Sequence, residues 1–437
     1  MIKNSMISTI AISALLFVFI FGTFFCAKPG GMGAKDILVW VSYGPDEMKV
    51  FNDIAEKWSK ENKNGFTVHV AQIPWMGQES KYRTSLIAGS PPDIGRVDTT
   101  FVPELAYNQI LEDVNKFIEE EAAAKKIGTN EILAEYVPAA IDSCIIHEKS
   151  GKNCIYGFPD QTNGACLFYN KDLFRQAGLD PDKAPKTWAD FLEYAKKLTN
   201  KDADRFGFGM DNSLWWSFPF FNTYGTKFLS DDGQKCLLNS QEAKDALQFK
   251  VDLFRKYAVE GGAWASGGQN TETGFMNGRY AMILMGPWNV SRFKNAKINF
   301  AVSLVPEGPK GTSTNVGGTN MVIFKKKRTP DQLKACYEFL RHLTSADIQA
   351  EWGSKLRQIP VNLKAYDKIK IDDTEEASIL KVFMEQMKTA QPRPKVLKYA
   401  QLETLINPEM EAALSGAKTV EQALNAACGR IDAEALK

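Results

Sequence analysis

Asp36-Ile37-Leu38-Val39-Trp40-Val41 is a short, unbroken apolar run of the kind that forms a strand buried on both faces. Ser42-Tyr43-Gly44-Pro45 then opens a helix whose apolar positions Met48, Phe51, Ile54, Ala55 and Trp58 recur at helical spacing. Residues 66–73 alternate as a strand, Pro74-Trp75-Met76-Gly77 turn the chain, and residues 82–88 read as a second helix. Pro91-Pro92-Asp93-Ile94-Gly95-Arg96-Val97-Asp98 brings the next strand. Strand, helix, strand, helix, strand calls for an α/β layered domain with a largely parallel sheet. Ligands bind beyond the carboxyl ends of such strands. The loops after Trp40, after Ile73 and around Asp98 are therefore the first candidates for a site.

The alternation continues outward. Cys166-Leu167-Phe168-Tyr169-Asn170-Lys171-Asp172-Leu173-Phe174 is a strand running into a helix, and Pro185-Lys186-Thr187 starts another helix with Thr187 as its cap. Residues 279–285 and 298–305 are strands, the first ending in Gly286-Pro287-Trp288. After Asn315-Val316-Gly317-Gly318-Thr319-Asn320 comes a strand over 321–324, and Thr329-Pro330-Asp331 caps a helix. The remainder is mostly helical.

Of 437 residues, 44% are hydrophobic, enough for two or three domains with real cores. Lys+Arg 53 against Asp+Glu 52 leaves no basic excess to neutralise nucleic-acid phosphates. Residues 1–25 carry Lys3 and then an apolar run, the pattern of an export signal. Cys26 stands where a bacterial lipoprotein is lipidated, and residues 26–35 read as a tether. A soluble exported form and an uncleaved anchor are the alternatives. Of the other cysteines, Cys144 and Cys154 flank a turn signal and are placed to bridge a hairpin. Cys336 and Cys428 read as small buried hydrophobes.

Histidines number three, His69, His147 and His342, none paired at zinc-helix spacing. Phosphate loop, dinucleotide fingerprint and nucleophile elbow are all missing. The reading is therefore a binding protein with no catalytic residues, metal or cofactor. Aromatics concentrate in Leu214-Trp215-Trp216-Ser217-Phe218-Pro219-Phe220-Phe221-Asn222-Thr223-Tyr224, at a spacing that suits neither one helix face nor one strand face. Trp40, Trp75 and Trp288 end strands or sit in loops. A sugar needs flat rings against its C–H faces and fixed polar groups for its hydroxyls. Asp98, Asp160, Gln161, Asn163, Asn320 and Arg357 supply the polar groups.

These residues also carry a resemblance. Leu38-Val39-Trp40, Ser90-Pro91-Pro92-Asp93-Ile94 with Asp98, Tyr156-Gly157-Phe158-Pro159, Lys186-Thr187-Trp188-Ala189-Asp190-Phe191, Phe275-Met276-Asn277-Gly278-Arg279-Tyr280, Val316-Gly317-Gly318 and Gln358-Ile359-Pro360-Val361 stand in order. In that order the chain resembles the extracellular solute-binding proteins of bacterial ABC importers, in particular the carbohydrate group that includes maltose-binding protein. The resemblance implies a two-lobed type II periplasmic-binding fold, each lobe a mainly parallel sheet flanked by helices. It places one lobe at 36–160 plus 313–352 and the other at 165–312 plus 353–437, with crossings near 160–164, near 311–314 and near Trp352.

By the same resemblance Asp98 receives sugar hydroxyls, Trp216 or Trp288 stacks on a ring, and the Gly317-Gly318 loop lines the cleft. Arg96 stands where relatives often carry an aromatic residue, so it is expected to face the ligand and favour an acidic sugar or sugar phosphate. The candidate site is thus Trp40, Tyr43, Trp75, Arg96, Asp98, Asp160, Gln161, Asn163, Trp215, Trp216, Trp288, Gly317, Gly318, Asn320 and Arg357. The expected protein is a monomeric, lipid-anchored receptor that passes a mono- or oligosaccharide to a membrane permease. Other readings are a carbohydrate-active hydrolase, the same fold carrying a polyamine, metal ion or sugar phosphate, and a receptor that signals.

Overall fold

The computed structural model describes residues 32–147 and 151–436; the export segment and Cys26 lie outside the described residues. The strands are β1 (Asp36–Val41), β2 (Thr67–Gln72), β3 (Ile94–Asp98), β4 (Ile145–His147), β5 (Asn153–Ile155), β6 (Phe158–Asn163), β7 (Cys166–Asn170), β8 (Phe206–Gly209), β9 (Tyr280–Met285), β10 (Phe300–Ser303) and β11 (Gly317–Ile323). One five-stranded sheet runs β2-β1-β3-β11-β6, and one four-stranded sheet runs β10-β7-β9-β8. Each is the centre of a lobe with its own apolar packing, and a further cluster joins Val137, Ala139 and Ala140 of the first to Phe168, Ile283 and Phe383 of the second.

The opening run behaves as its composition dictates. Ile37, Val39 and Val41 bury one face of β1 against Phe51, Ile54 and Trp58 of the Pro45–Glu61 helix. Trp40 turns to the other face, against Tyr82. Pro45 needs no donor at the first helical position, and the Glu47 carboxylate accepts the Gly44 N–H at 2.6 Å. At the Trp188–Leu198 helix Thr187 accepts the Asp190 N–H at 3.1 Å, and Asp190 accepts the Thr187 N–H at 3.0 Å.

Two expectations change. The sheets are mixed: β2-β1-β3 is parallel, but β11 is antiparallel to β3 and β6, and β7 is antiparallel to β9 and β10. Strands β7 and β11 arrive directly from the other lobe rather than over a helix on their own sheet, so they enter in the reverse sense. The aromatic segment is also a helix, Leu214–Tyr224. It buries Leu214, Phe218, Phe220 and Phe221 on several sides, as a helix apolar all round must. Pro219 lacks the N–H that would have bonded the Trp215 carbonyl.

The chain passes between lobes at closely packed points. Gly164, between β6 and β7, lies against Thr314 and Asn315 of the return segment, and the Ala165 N–H donates to Thr314 Oγ1 at 3.0 Å. A further segment, 388–398, leaves the Thr374–Met387 helix and pairs at Gln391 with Thr314 and Val316. The β4–β5 hairpin exists, but Cys154 pairs with Ile146 while Cys144 lies opposite Tyr156, and the two sulfurs serve different cores.

On the first lobe the Asn115–Lys125 and Pro330–Leu343 helices are joined by Glu121, which accepts from Arg341 Nη2 at 2.9 Å, Tyr337 Oη at 2.5 Å and Lys125 Nζ at 2.7 Å. Burial alone would raise this carboxyl, but the hydrogen bonds from Arg341, Lys125 and Tyr337 overcome it and hold the pKa at about 2. The unfolded chain therefore takes up this proton first as pH falls from the ordinary 4.5 toward about 2, and stability is lost across that window. Glu121→Gln should flatten that acid arm in urea unfolding and cost about 2 kcal/mol at neutral pH.

Candidate functional site

Two of the cavities between the lobes bring together residues singled out in the sequence. The larger, about 600 Å³, is lined by Trp75, Arg83, Asp98, Arg393, Tyr399 and Glu403 among others. The smaller, about 320 Å³, includes Gln161, Asn163, Trp288, Arg357 and Gln358. Both lie where strands deliver residues from their ends: Asp98 closes β3, Asn163 closes β6, and Trp288 follows β9.

Trp215 lines neither cavity itself, but its neighbours do: Arg393 lines the larger and Asn163 the smaller. Its indole lies under the Arg393 guanidinium at 5.3 Å and against Gly317, beside Asn163. A Cβ at Gly317 would collide with that ring and with Asn163 Oδ1. Gly318 adopts φ +120°, and a Cβ there would strike the Gln161 carbonyl, so neither glycine admits a side chain. Gly286 does the same for Trp288, whose ring folds over it and stays about half exposed. Trp216 is partly buried and bridges Trp215 and Trp288, with centroids at 6.4 and 6.2 Å.

Arg96 is engaged elsewhere. It is 4% exposed; Nε donates to Asp160 Oδ2 at 3.0 Å, Nη1 to the Ser42 carbonyl at 2.8 Å, and Nη2 to Gln161 Oε1. Its guanidinium covers the Tyr43 ring at 4.1 Å, and Tyr43 Oη donates to Asp160 Oδ2 at 2.5 Å. Tyr43, Arg96 and Asp160 thus form a buried network under the cleft floor; a guanidinium so committed has no edge left for an anionic ligand. Asn320 is fully buried, donating to Ser143 Oγ at 2.9 Å. Trp40 is half-buried against Tyr82 and lines neither cavity. Arg357 is exposed at the rim and pairs with Glu376 at 2.8 Å.

The residue that sequence reading missed is Arg393. Gln391-Pro392-Arg393-Pro394-Lys395 is an extended, proline-flanked basic pair, and that flanking was the available signal. Arg393 Nη2 reaches across the cleft to Asp98 Oδ1 at 2.8 Å and Thr99 Oγ1 at 2.5 Å. Lys395 Nζ crosses to Asp142 Oδ2 at 2.7 Å and the Ile145 carbonyl at 3.0 Å. Asp98 also accepts the Thr100 N–H at 2.8 Å and hydroxyl at 2.6 Å.

The guanidinium groups of the larger cavity already face carboxylates. Arg83 bonds both Glu104 oxygens, at 2.8 and 2.7 Å, and Glu79 at 3.1 Å. Burial raises the Glu79 and Glu403 carboxyls above their usual range. The arrangement offers aromatic faces, hydroxyls and charge-compensated polar groups. Among the described residues no cluster of His, Cys, Asp and Glu is placed to hold a metal ion.

Residues 42–350 match the model of the bacterial extracellular solute-binding protein family. The sn-glycerol-3-phosphate-binding periplasmic protein UgpB of Brucella melitensis is 29% identical over 290 residues, covering 62% of this chain and 66% of the relative, just under two thirds of its length. The solved structure of an ABC transporter solute-binding protein from Thermotoga lettingae, bound with alpha-D-tagatose, is 26% identical with a TM-score of 0.70, covering 91% of this chain and 99% of that one. The sugar-binding protein MalE of Xanthomonas citri superposes with a TM-score of 0.77 at 24% identity, covering 91% of this chain and 96% of its own. With two mixed sheets, a cleft between them and a family match over most of its length, this chain belongs to the bacterial extracellular solute-binding proteins.

Proposed function

We propose that the protein captures a neutral sugar or short oligosaccharide in the interlobe cleft and delivers it to the permease of an ABC importer, without chemical change to the sugar. One lobe is 36–160 plus 313–352, the other 165–312 plus 353–437. The observation that carries this reading is Trp215, a partly buried flat ring packed against Gly317 and Arg393, with Arg393 of the larger cavity and Asn163 of the smaller as its neighbours. Trp75 and Trp288 offer further faces at the two mouths. Asp98, Gln161 and Asn163 supply oxygens and amides for hydroxyls, with Arg357 at the rim.

Neutral sugar is favoured over sugar phosphate because each cleft guanidinium already faces a carboxylate: Arg96 with Asp160, Arg393 with Asp98, Arg83 with Glu104. A phosphate would have to break one of these pairs and compete with the carboxylate already bonded there. Closure is a population shift: ligand that touches both lobes only in the closed form favours that form by the difference in affinity. The signal over 1–25, lipid attachment at Cys26 and a monomeric state complete the proposal.

A thermal-shift screen checks the ligand. A neutral sugar at about 100 times its Kd should stabilise by about 2.7 kcal/mol, whereas a response confined to sn-glycerol 3-phosphate or a polyamine would reject the neutral-sugar assignment. Trp215→Ala and Trp288→Ala should each weaken binding by calorimetry at least about tenfold, about 1.4 kcal/mol; unchanged affinity in both would reject the site. Asp160→Asn should behave oppositely. It leaves Arg96 buried without its anion, so ligand-free stability should drop by about 3 kcal/mol, a loss the tryptophan variants should not show.

A further inference from the structure

Cys236 and Cys428 lie 192 residues apart in sequence, yet their sulfurs are in contact at 2.7 Å. Both are sealed from solvent, at 1% and 4% exposure. The contact is bracketed by bonds that do not involve sulfur. The Cys236 N–H donates to Asp432 Oδ1 at 2.6 Å, Asn239 Nδ2 to Asn425 Oδ1 at 3.1 Å, and Lys244 Nζ to Glu421 Oε1 at 2.6 Å. Three polar ties between the same two segments hold the thiols face to face whether or not they are joined. The other buried cysteines differ: Cys166, for example, packs among Phe168, Ile283 and Phe300.

The family is extracellular, and outside the cytosol paired thiols meet oxidants rather than a reducing pool. We propose that Cys236 and Cys428 form a disulfide, a covalent tie between the 229–236 turn and the Val420–Arg430 helix. The co-reactant is an exported thiol oxidase carrying a reactive disulfide. As thiolate, Cys428 attacks the oxidase disulfide, forming a mixed disulfide and releasing one oxidase thiolate, which takes up the Cys428 proton. Cys236 then loses its proton and attacks the Cys428 sulfur, the Cys236–Cys428 bond forms, and the second oxidase sulfur leaves to take that proton. The two cysteines are oxidised by two electrons, and the oxidase disulfide is reduced to a dithiol. This happens during folding, before burial closes off both sulfurs.

The tie has a structural consequence for the interlobe region. Leu229 pairs with Cys236 across a turn whose tip, Asp231-Asp232-Gly233-Gln234, lines a third cavity of about 770 Å³. Across that cavity stand Tyr107, Gln109 and His147 of the first lobe, with Ala435 and Leu436 of the chain end on the same side as the turn. A disulfide at the base of the turn joins it to the helix that precedes Ala435 and Leu436, so both parts of this wall move together.

The test uses the full chain exported from cells with its own signal and purified without reductant. Alkylation with N-ethylmaleimide in denaturant, then protease digestion and mass spectrometry, should leave Cys236 and Cys428 unlabelled and joined in one peptide pair, with Cys166 labelled. The intact chain should gain about 2 Da on reduction, the two hydrogens restored to sulfur. Reductant should lower the Tm of the native protein by about 5 °C, and the Cys236→Ala, Cys428→Ala double variant should show no response to reductant. Full labelling of both cysteines before reduction would overturn the proposal, and this reading needs only wild-type protein.

Discussion

The buried pair of Arg96 and Asp160 is the constraint on which the cleft depends. Arg96 projects from β3 and Asp160 from β6, and β11 runs between those strands. An unpaired charge at 4% exposure would cost several kcal/mol, so the pair, with Tyr43, Ser42 and Gln161 bonded around it, locks the register of three strands where the chain leaves the first lobe. Three residues beyond Asp160, Asn163 stands beside Trp215 and Gly317, so the cavity wall inherits its position from a charge network beneath it.

The second determinant is close backbone packing at the hinge. Gly164, Gly317 and Gly318 each occupy places where a Cβ would strike a neighbouring chain or ring. Adjacent passages between lobes are thereby brought into contact, which leaves room for an indole against Gly317. The 388–398 segment adds polar ties from the second lobe to the first through Arg393 and Lys395. These pairs, Arg393 with Asp98 and Lys395 with Asp142, hold the two lobes together at the cleft edge.

Much of the fold was legible because periodicity and turn chemistry are local. The run at 36–41, the Thr187 and Thr329 caps, and the strand ending in Gly286-Pro287-Trp288 all formed where the residues themselves indicate. The segment around Trp215 was less legible because a helix buried on most sides has no single apolar stripe to reveal its period. For the same reason Cys428 read as filler: its partner Cys236 is remote in sequence, and only folding brings the two together.

Residue chemistry alone determined the α/β class, since strand and helix periods follow from local pattern, and it named the tryptophans, carboxylates and amides from which a site is expected. Tertiary structure alone decided which of those groups faces the cleft. Charge type does not say whether a guanidinium will meet a ligand or a carboxylate of its own chain. Arg96 meets Asp160 because β11 brings β3 and β6 into one sheet, and Arg393 meets Asp98 because an extended segment from the second lobe crosses to the first. Those pairings depend on distances between chain segments far apart in sequence, which no local pattern encodes.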